Sequence, residues 1–353
     1  MTVKAPVGIR ELARELGLSI GTVSRALNNR YGVNPATRTK VLDQARRLGY
    51  VPNNAARSLK DQPILEVGLL FAPYVSPSKE INPVALRFID LFRDRITALN
   101  MSLRVILFTN EDELKGQVTA NHTDVVLFNG EFPEASYRLI HELGIPAVLM
   151  SHHQKFDDQV SVLVNSSVPG ERAVEYLAAL GHEHIGLITG PRGSLYVDGY
   201  WEGFMRGLKE FGLPFHEEWA IELAPSKSNK DAAADALLPI LRKSNRPTAL
   251  VFSSDWFALG GYKVARELKL RVPQDLSIIG HDNLPVTSEL TPPLTTFDVN
   301  PPRHANLLAE IAKDLGNRHW NSSALSKREI ILSSDFVKRG SCFCRRGQND
   351  YRD

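Results

Sequence analysis

Ser19, Thr22, Ser24 and Arg25 stand within seven residues of one another, with Ile20 and Gly21 among them. On one helix such hydroxyls can donate to phosphate oxygens, while a guanidinium can bond a guanine edge bidentately. This is the chemistry of a nucleic-acid reader. No nucleophile stands at a telling spacing from a base, and GxGxxG, Walker and HExxH patterns are absent. Neither catalysis nor a cofactor is expected.

Those residues need a short helix with an open N-terminus, and the stretch 7–31, VGIRELARELGLSIGTVSRALNNRY, supplies one. Ile9, Leu12, Ala13 and Leu16 recur at helical spacing, with Arg10, Glu11, Arg14 and Glu15 between them. Gly17 ends that first helix, because glycine tolerates the left-handed conformation of a helix exit. Ser19 can then cap a second helix that runs to about Asn28. Two helices and a tight turn make a helix-turn-helix, whose second helix presents its N-terminal residues to base edges in the major groove.

The charge distribution agrees. The first 60 residues hold 11 Lys and Arg against three acids, a net charge of +8 in a chain that totals +2, so the remainder carries −6. A basic head on a mildly acidic body points to a polyanion bound at one end. At 353 residues the chain exceeds one simple core, and its 43% hydrophobic and 23% charged content is that of a globular protein. No apolar run reaches the roughly 18 residues of a membrane span. The N-terminus carries charges where a signal peptide needs an apolar core, so a cytoplasmic location is expected. Cys342 and Cys344, one residue apart, are too close for an unstrained bridge and are read as reduced thiols in a tail.

A third helix from about Pro35 to Leu48, capped by Asn34 or its neighbour, would close a small core with Val41, Leu42, Ala45 and Leu48. VPNNAARSLKDQ follows, with only Ala55, Ala56 and Leu59 as apolar contacts. That is too few to hold a helix to a core, so it reads as a linker that becomes helical only with support. From Ile64 the texture changes to short apolar strands alternating with helices, which implies parallel sheets and right-handed crossovers. Two successive sets predict two α/β lobes, with a ligand cleft at the carboxyl ends of their strands. The expected organisation is a head over 1–50, a hinge over 51–63, a body over 64–340 and a tail over 341–353. Within the body, one lobe takes 64–164 and 295–325, the other 165–292 and 326–340.

SIGTVSRALN, TRTKVLDQARRLGYVPNNAARSL, EYLAALGHEHIGLITGP, DWFALGGYKVARELKLRVPQDLSIIGHDN and TPPLTTFDVN occur in this order from about residue 8 to about 340. Together they resemble the LacI/GalR family of bacterial transcription regulators. The resemblance implies an all-α helix-turn-helix head on a bilobed, periplasmic-binding-protein-like α/β effector domain. It also implies a homodimer on a pseudo-palindromic DNA operator, with an affinity controlled by a small molecule between the lobes. Carried over by position, Ile20, Gly21 and Arg25 are base-reading. Ser19, Thr22, Ser24 and Asn28 contact phosphate or orient the helix, with Asn34 and Thr37 as further backbone contacts. Leu59 matches the wedge that opens the minor groove, and Asn53 and Ala56 would face the groove beside it.

The effector site departs from the family pattern. Tyr200 stands where the family usually has Arg, and Ser254-Asp255 replaces the common Asn-Asp pair. Asp282 is retained, and Ser151 replaces a pocket Asp. Tyr74 offers a face for stacking. Tyr200, Asp255, Asp282, Ser151 and Tyr74 are thus the candidate effector contacts, with a neutral saccharide favoured over an anion. His182 and His184 form an HxH pair that reads as structural rather than metal-binding, and His152-His153 lies in a loop beside the cleft. Two alternative readings stand beside this one. One is a regulator answering to a protein partner, the other a sugar-binding protein with a vestigial head.

Overall fold

The computed structural model describes residues 9–27, 33–48, 64–71, 83–224, 229–317 and 329–345. The chain divides into two compact units, Met1–Ile64 and Leu65–Asp353.

The first unit contains α1 (Ile9–Leu16), α2 (Ile20–Leu27) and α3 (Pro35–Arg47). The apolar periodicity of α1 turns Leu12 and Ala13 inward, where they meet Val23, Ala26, Val41 and Ala45. Gly17 exits α1 at φ +64°, and its N–H bonds the Arg14 carbonyl while Leu18 N–H bonds that of Ala13. This pair of bonds is a Schellman closure, which sets the sharp turn into α2. Gln44 Nε2 donates to Glu15 Oε2 at 2.8 Å and ties α3 to α1.

The second unit has two lobes. In the first, β1 (Glu66–Phe71), β2 (Ser102–Ile106), β3 (Val125–Asn129), β4 (Ala147–Met150), β5 (Gln159–Val164) and β11 (Glu329–Leu332) form one parallel sheet. Its order is β11-β5-β4-β3-β1-β2. Alternate strand residues feed opposite cores. Val67, Leu69 and Leu127 pack against α4 (Pro83–Ala98) and α11 (Pro301–Gly316), while Leu70, Val126 and Phe128 pack against α5 (Glu111–Ala120) and α6 (Glu134–Glu142).

In the second lobe, β6 (Ile185–Thr189), β7 (Ala220–Glu222), β8 (Ala249–Phe252) and β9 (Ser277–Ile279) run parallel in the order β7-β6-β8-β9. Helices α7 (Ser167–Ala179) and α8 (Leu195–Glu210) cover one face, α9 (Lys230–Leu241) and α10 (Asp255–Glu267) the other. Gly170 and Gly203 let α7 and α8 nearly touch: a Cβ on Gly203 would overlap the Ser167 carbonyl. No described helix is long and apolar enough to cross a membrane.

Among the described residues the chain passes between lobes three times, near 165, 299 and 333. This redraws the lobe boundaries expected from the sequence. Residues 329–332 belong to the first lobe, because Glu329–Leu332 pairs along the edge of β5. Residues 295–298 belong to the second, because Phe297 is buried in its core. There β10 (Thr296–Asp298) pairs antiparallel with β12 (Asp335–Val337).

Candidate functional site

In the first unit the chemistry gathers at the N-terminus of α2. Ser19 Oγ accepts from Thr22 N–H at 3.1 Å and lies 2.9 Å from Thr22 Oγ1, so one hydroxyl caps the helix and orients the other. Ile20 is 44% exposed on the first turn, and Gly21 beside it is exposed and carries no side chain. Ser24 and Arg25 lie on the same helix. Asn34 Oδ1 accepts from Ala36 N–H at 2.9 Å and caps α3, with Thr37 on the first turn behind it. Asn28, Asn53, Ala56 and Leu59 lie outside the described residues, as does Tyr74 of the effector set.

In the second unit a cleft of about 270 Å³ opens between the end of the first-lobe sheet and α8. Ser151, His153, Asn165, Ser167 and Glu202 supply its polar lining, and Leu163, Leu195 and Ile331 its apolar lining, with Tyr196 beside them. Ser151 closes β4 in the left-handed region at φ +63°, with its N–H bonded to the Val162 carbonyl at 2.9 Å. His153 is held by the Glu329 carboxylate. His152 is turned away to the Gly130 carbonyl, 2.7 Å from Nε2.

Of the expected effector residues that the structure describes, only Ser151 lines this cleft. Tyr200 is fully buried in the second-lobe core, with its hydroxyl 3.4 Å from the Phe252 carbonyl. The aromatic in the cleft is instead Tyr196, one turn earlier on α8. Tyr196, Asn165 and Glu202 were missed in the sequence, because helical spacing puts Tyr196 and Tyr200 on one face and does not rank their depth.

Asp255 and Asp282 come together behind the cleft. Asp255 caps nothing with its side chain. Its Oδ1 accepts from Thr296 Oγ1 at 2.7 Å and its Oδ2 from Leu284 N–H at 2.8 Å. Asp282 Oδ2 accepts from Ser254 Oγ at 2.7 Å, and its backbone sits at φ +111°. Burial pushes the Asp255 carboxyl up to about 7 against those hydrogen bonds. Burial first, and the neighbouring Asp255 charge second, raise Asp282 well above the carboxylate range. Burial thus favours the protonated form at both carboxyls.

His182 is an interior histidine, bonded to Thr248 Oγ1 and Ser277 Oγ at 2.9 Å each, and burial lowers it to about 4. Among the described residues no group of three His, Cys, Asp or Glu is placed to hold a metal ion.

Residues 8–53 match the family described as bacterial regulatory proteins, lacI family, and residues 174–342 match the periplasmic binding protein-like domain. The HTH-type transcriptional repressor PurR of Photorhabdus laumondii is 30% identical over 298 residues, covering 82% of this chain and 84% of its own. Catabolite control protein A of Priestia megaterium is 29% identical over 299 residues, covering 82% and 86%. Among solved structures, the lac repressor dimer bound to operator and an anti-inducer superposes with a TM-score of 0.71 at 22% identity, over 96% of this chain and 99% of that one. The regulator CelR in complex with cellobiose superposes with a TM-score of 0.68 at 21% identity, over 95% and 99%.

Proposed function

Because the chain belongs to the lacI family of bacterial regulatory proteins, we propose that it represses transcription as a homodimer on a pseudo-palindromic operator, under the control of a saccharide bound between its lobes. The observation that carries the DNA half is the capped N-terminus of α2, where Ser19 and Thr22 hold each other beside an exposed Ile20. Phosphate oxygens would take the hydroxyls, and Ile20 would meet an apolar base edge such as a thymine methyl. Arg25 would read guanine, and Ser24, Asn28, Asn34 and Thr37 would fix the register. Asn53, Ala56 and Leu59 would engage the minor groove.

The cleft supports the ligand half. A lining that offers the hydroxyls of Ser151 and Ser167 and the amide of Asn165 beside the apolar Leu163, Leu195 and Ile331 suits a molecule that has hydroxyls at its edge and C–H groups on its face. Cellobiose in a structural relative belongs to that class. Ser151 and Tyr196 are the contacts we assign. Asp255 and Asp282 brace the loop behind them.

The test is an anisotropy titration of the full chain on operator DNA selected from random sequence, repeated with a saccharide panel and preceded by a thermal-shift screen of that panel. Expected are sequence-selective binding that weakens with Arg25→Ala, and a saccharide that raises the melting midpoint and changes the operator Kd. Sequence-indifferent binding would overturn the repressor reading. A blank panel would overturn the saccharide and move control to a protein partner.

A further inference from the structure

Tyr196 is pinned from behind. Its hydroxyl lies 2.8 Å from the Ser253 carbonyl and 2.9 Å from His281 Nδ1, and His281 Nε2 lies 3.2 Å from Ser334 Oγ. Ser253, His281 and Ser334 are all buried. Ser334 sits where the chain passes from β11 in the first lobe to β12 in the second. The row therefore runs from the wall of the cleft to one of the three connections between lobes.

The protons in the row can be assigned by counting. A carbonyl only accepts, so the Tyr196 hydroxyl proton goes to Ser253. His281 Nδ1 then carries a hydrogen and donates it to Tyr196 Oη, which leaves Nε2 to accept from the Ser334 hydroxyl. The reverse order strips the Ser253 carbonyl of this donor and leaves the Ser334 hydroxyl proton without the His281 acceptor, a penalty at buried groups. His281 is neutral, as this requires, because burial holds its imidazole down at about 3.

We propose that His281 and Ser334 are positioning residues of the ligand cleft: they lock Tyr196 so that its ring, not its hydroxyl, faces the ligand, and they tie that wall to the lobe connection at 333–334. The role in ligand binding rests on the function proposed above; the lock itself does not. With its proton spent on Ser253 and its oxygen receiving His281, the phenol is an apolar wall, continuous with Leu195. Movement of the connection when the lobes shift would then turn Tyr196.

Hydrogen exchange on the ligand-free full chain tests this without a ligand. Tyr196→Phe and Ser334→Ala cut the row at its two ends. Tyr196→Phe is expected to speed amide exchange over residues 329–337, and Ser334→Ala over 194–200. Each rise should be about five-fold, as loss of one hydrogen bond would give. Ser334→Thr keeps the hydroxyl and should restore the wild-type rate. Nitrogen-15 histidine spectra should find the His281 hydrogen on Nδ1. Exchange that changes only around each substitution, or a hydrogen on Nε2, would overturn the proposal, while a failed saccharide screen would touch only the function above.

Discussion

Arg87 in α4 donates through Nη1 to the backbone carbonyl of Asn283 at 2.8 Å, a hydrogen bond that joins the two lobes. The acceptor is held ready. Asn283 is left-handed at φ +51°, its Oδ1 receives Arg339 Nη2 at 2.6 Å, and its Nδ2 donates to Asp298 at 2.9 Å. A guanidinium reaching such a braced carbonyl contributes more than a mobile surface pair would. Arg87→Ala is expected to lower the unfolding free energy of the second unit by about 1.5 kcal/mol, with Arg87→Lys recovering part of it. Urea denaturation followed by tryptophan fluorescence reads this cleanly, since no tryptophan precedes residue 201. A loss below about 0.5 kcal/mol would mean the bridge does not form in solution.

Ser19→Ala removes the oxygen that receives Thr22 N–H and the partner of the Thr22 hydroxyl. Loss of such a cap costs the helix about 1 kcal/mol. Because the same hydroxyls are assigned to phosphate, operator affinity should fall about ten-fold, against no change in the melting of the second unit. Anisotropy and calorimetry on one preparation separate the two effects. Ser19→Asp restores the cap but places an anion before a phosphate, so it should recover helix stability and not affinity.

The head and the alternation of strands and helices were legible because each rests on local patterns. Leu12, Ala13 and Leu16 fall at helical spacing, and runs such as DVVLF need no distant partner to be read as strands. The lobe boundary at 326–340 was not legible, since whether REIIL joins one sheet or the other depends on β5, more than 160 residues away. Depth on α8 was hidden in the same way. Tyr196 and Tyr200 look alike in sequence, and only the fold buries the second completely.

The close approach of α7 and α8 makes Gly203 a sensitive position. An added Cβ would overlap the Ser167 carbonyl, which is backbone and has no flexible end to move. Gly203→Ala is therefore expected to cost about 3 kcal/mol, despite the higher helix propensity of alanine. It should also shift Tyr196, which rides on the same helix, so near-ultraviolet dichroism should change under native conditions. A neutral or stabilised variant would mean the two helices stand farther apart than this.

The buried carboxyl of Asp255 gives the second unit a pH dependence of definite sign. Its folded value, near 7, lies above the ordinary 3.8, so between those limits the native state holds a proton that the unfolded chain has released. Its contribution to stability is complete below about 4 and disappears as pH rises through about 7. His182 and His281, which burial holds down at about 4 and about 3, act oppositely by weakening the fold as pH falls below 6.5. The two effects are separable by difference. Asp255→Asn removes the carboxyl and leaves the histidines, so wild type should lose stability relative to the variant as pH is raised from 5 to 7.5. Parallel curves across that range would show that Asp255 is ionised in the folded protein, its four neighbours Thr296, Leu284, Arg339 and the His281 backbone having outweighed its burial.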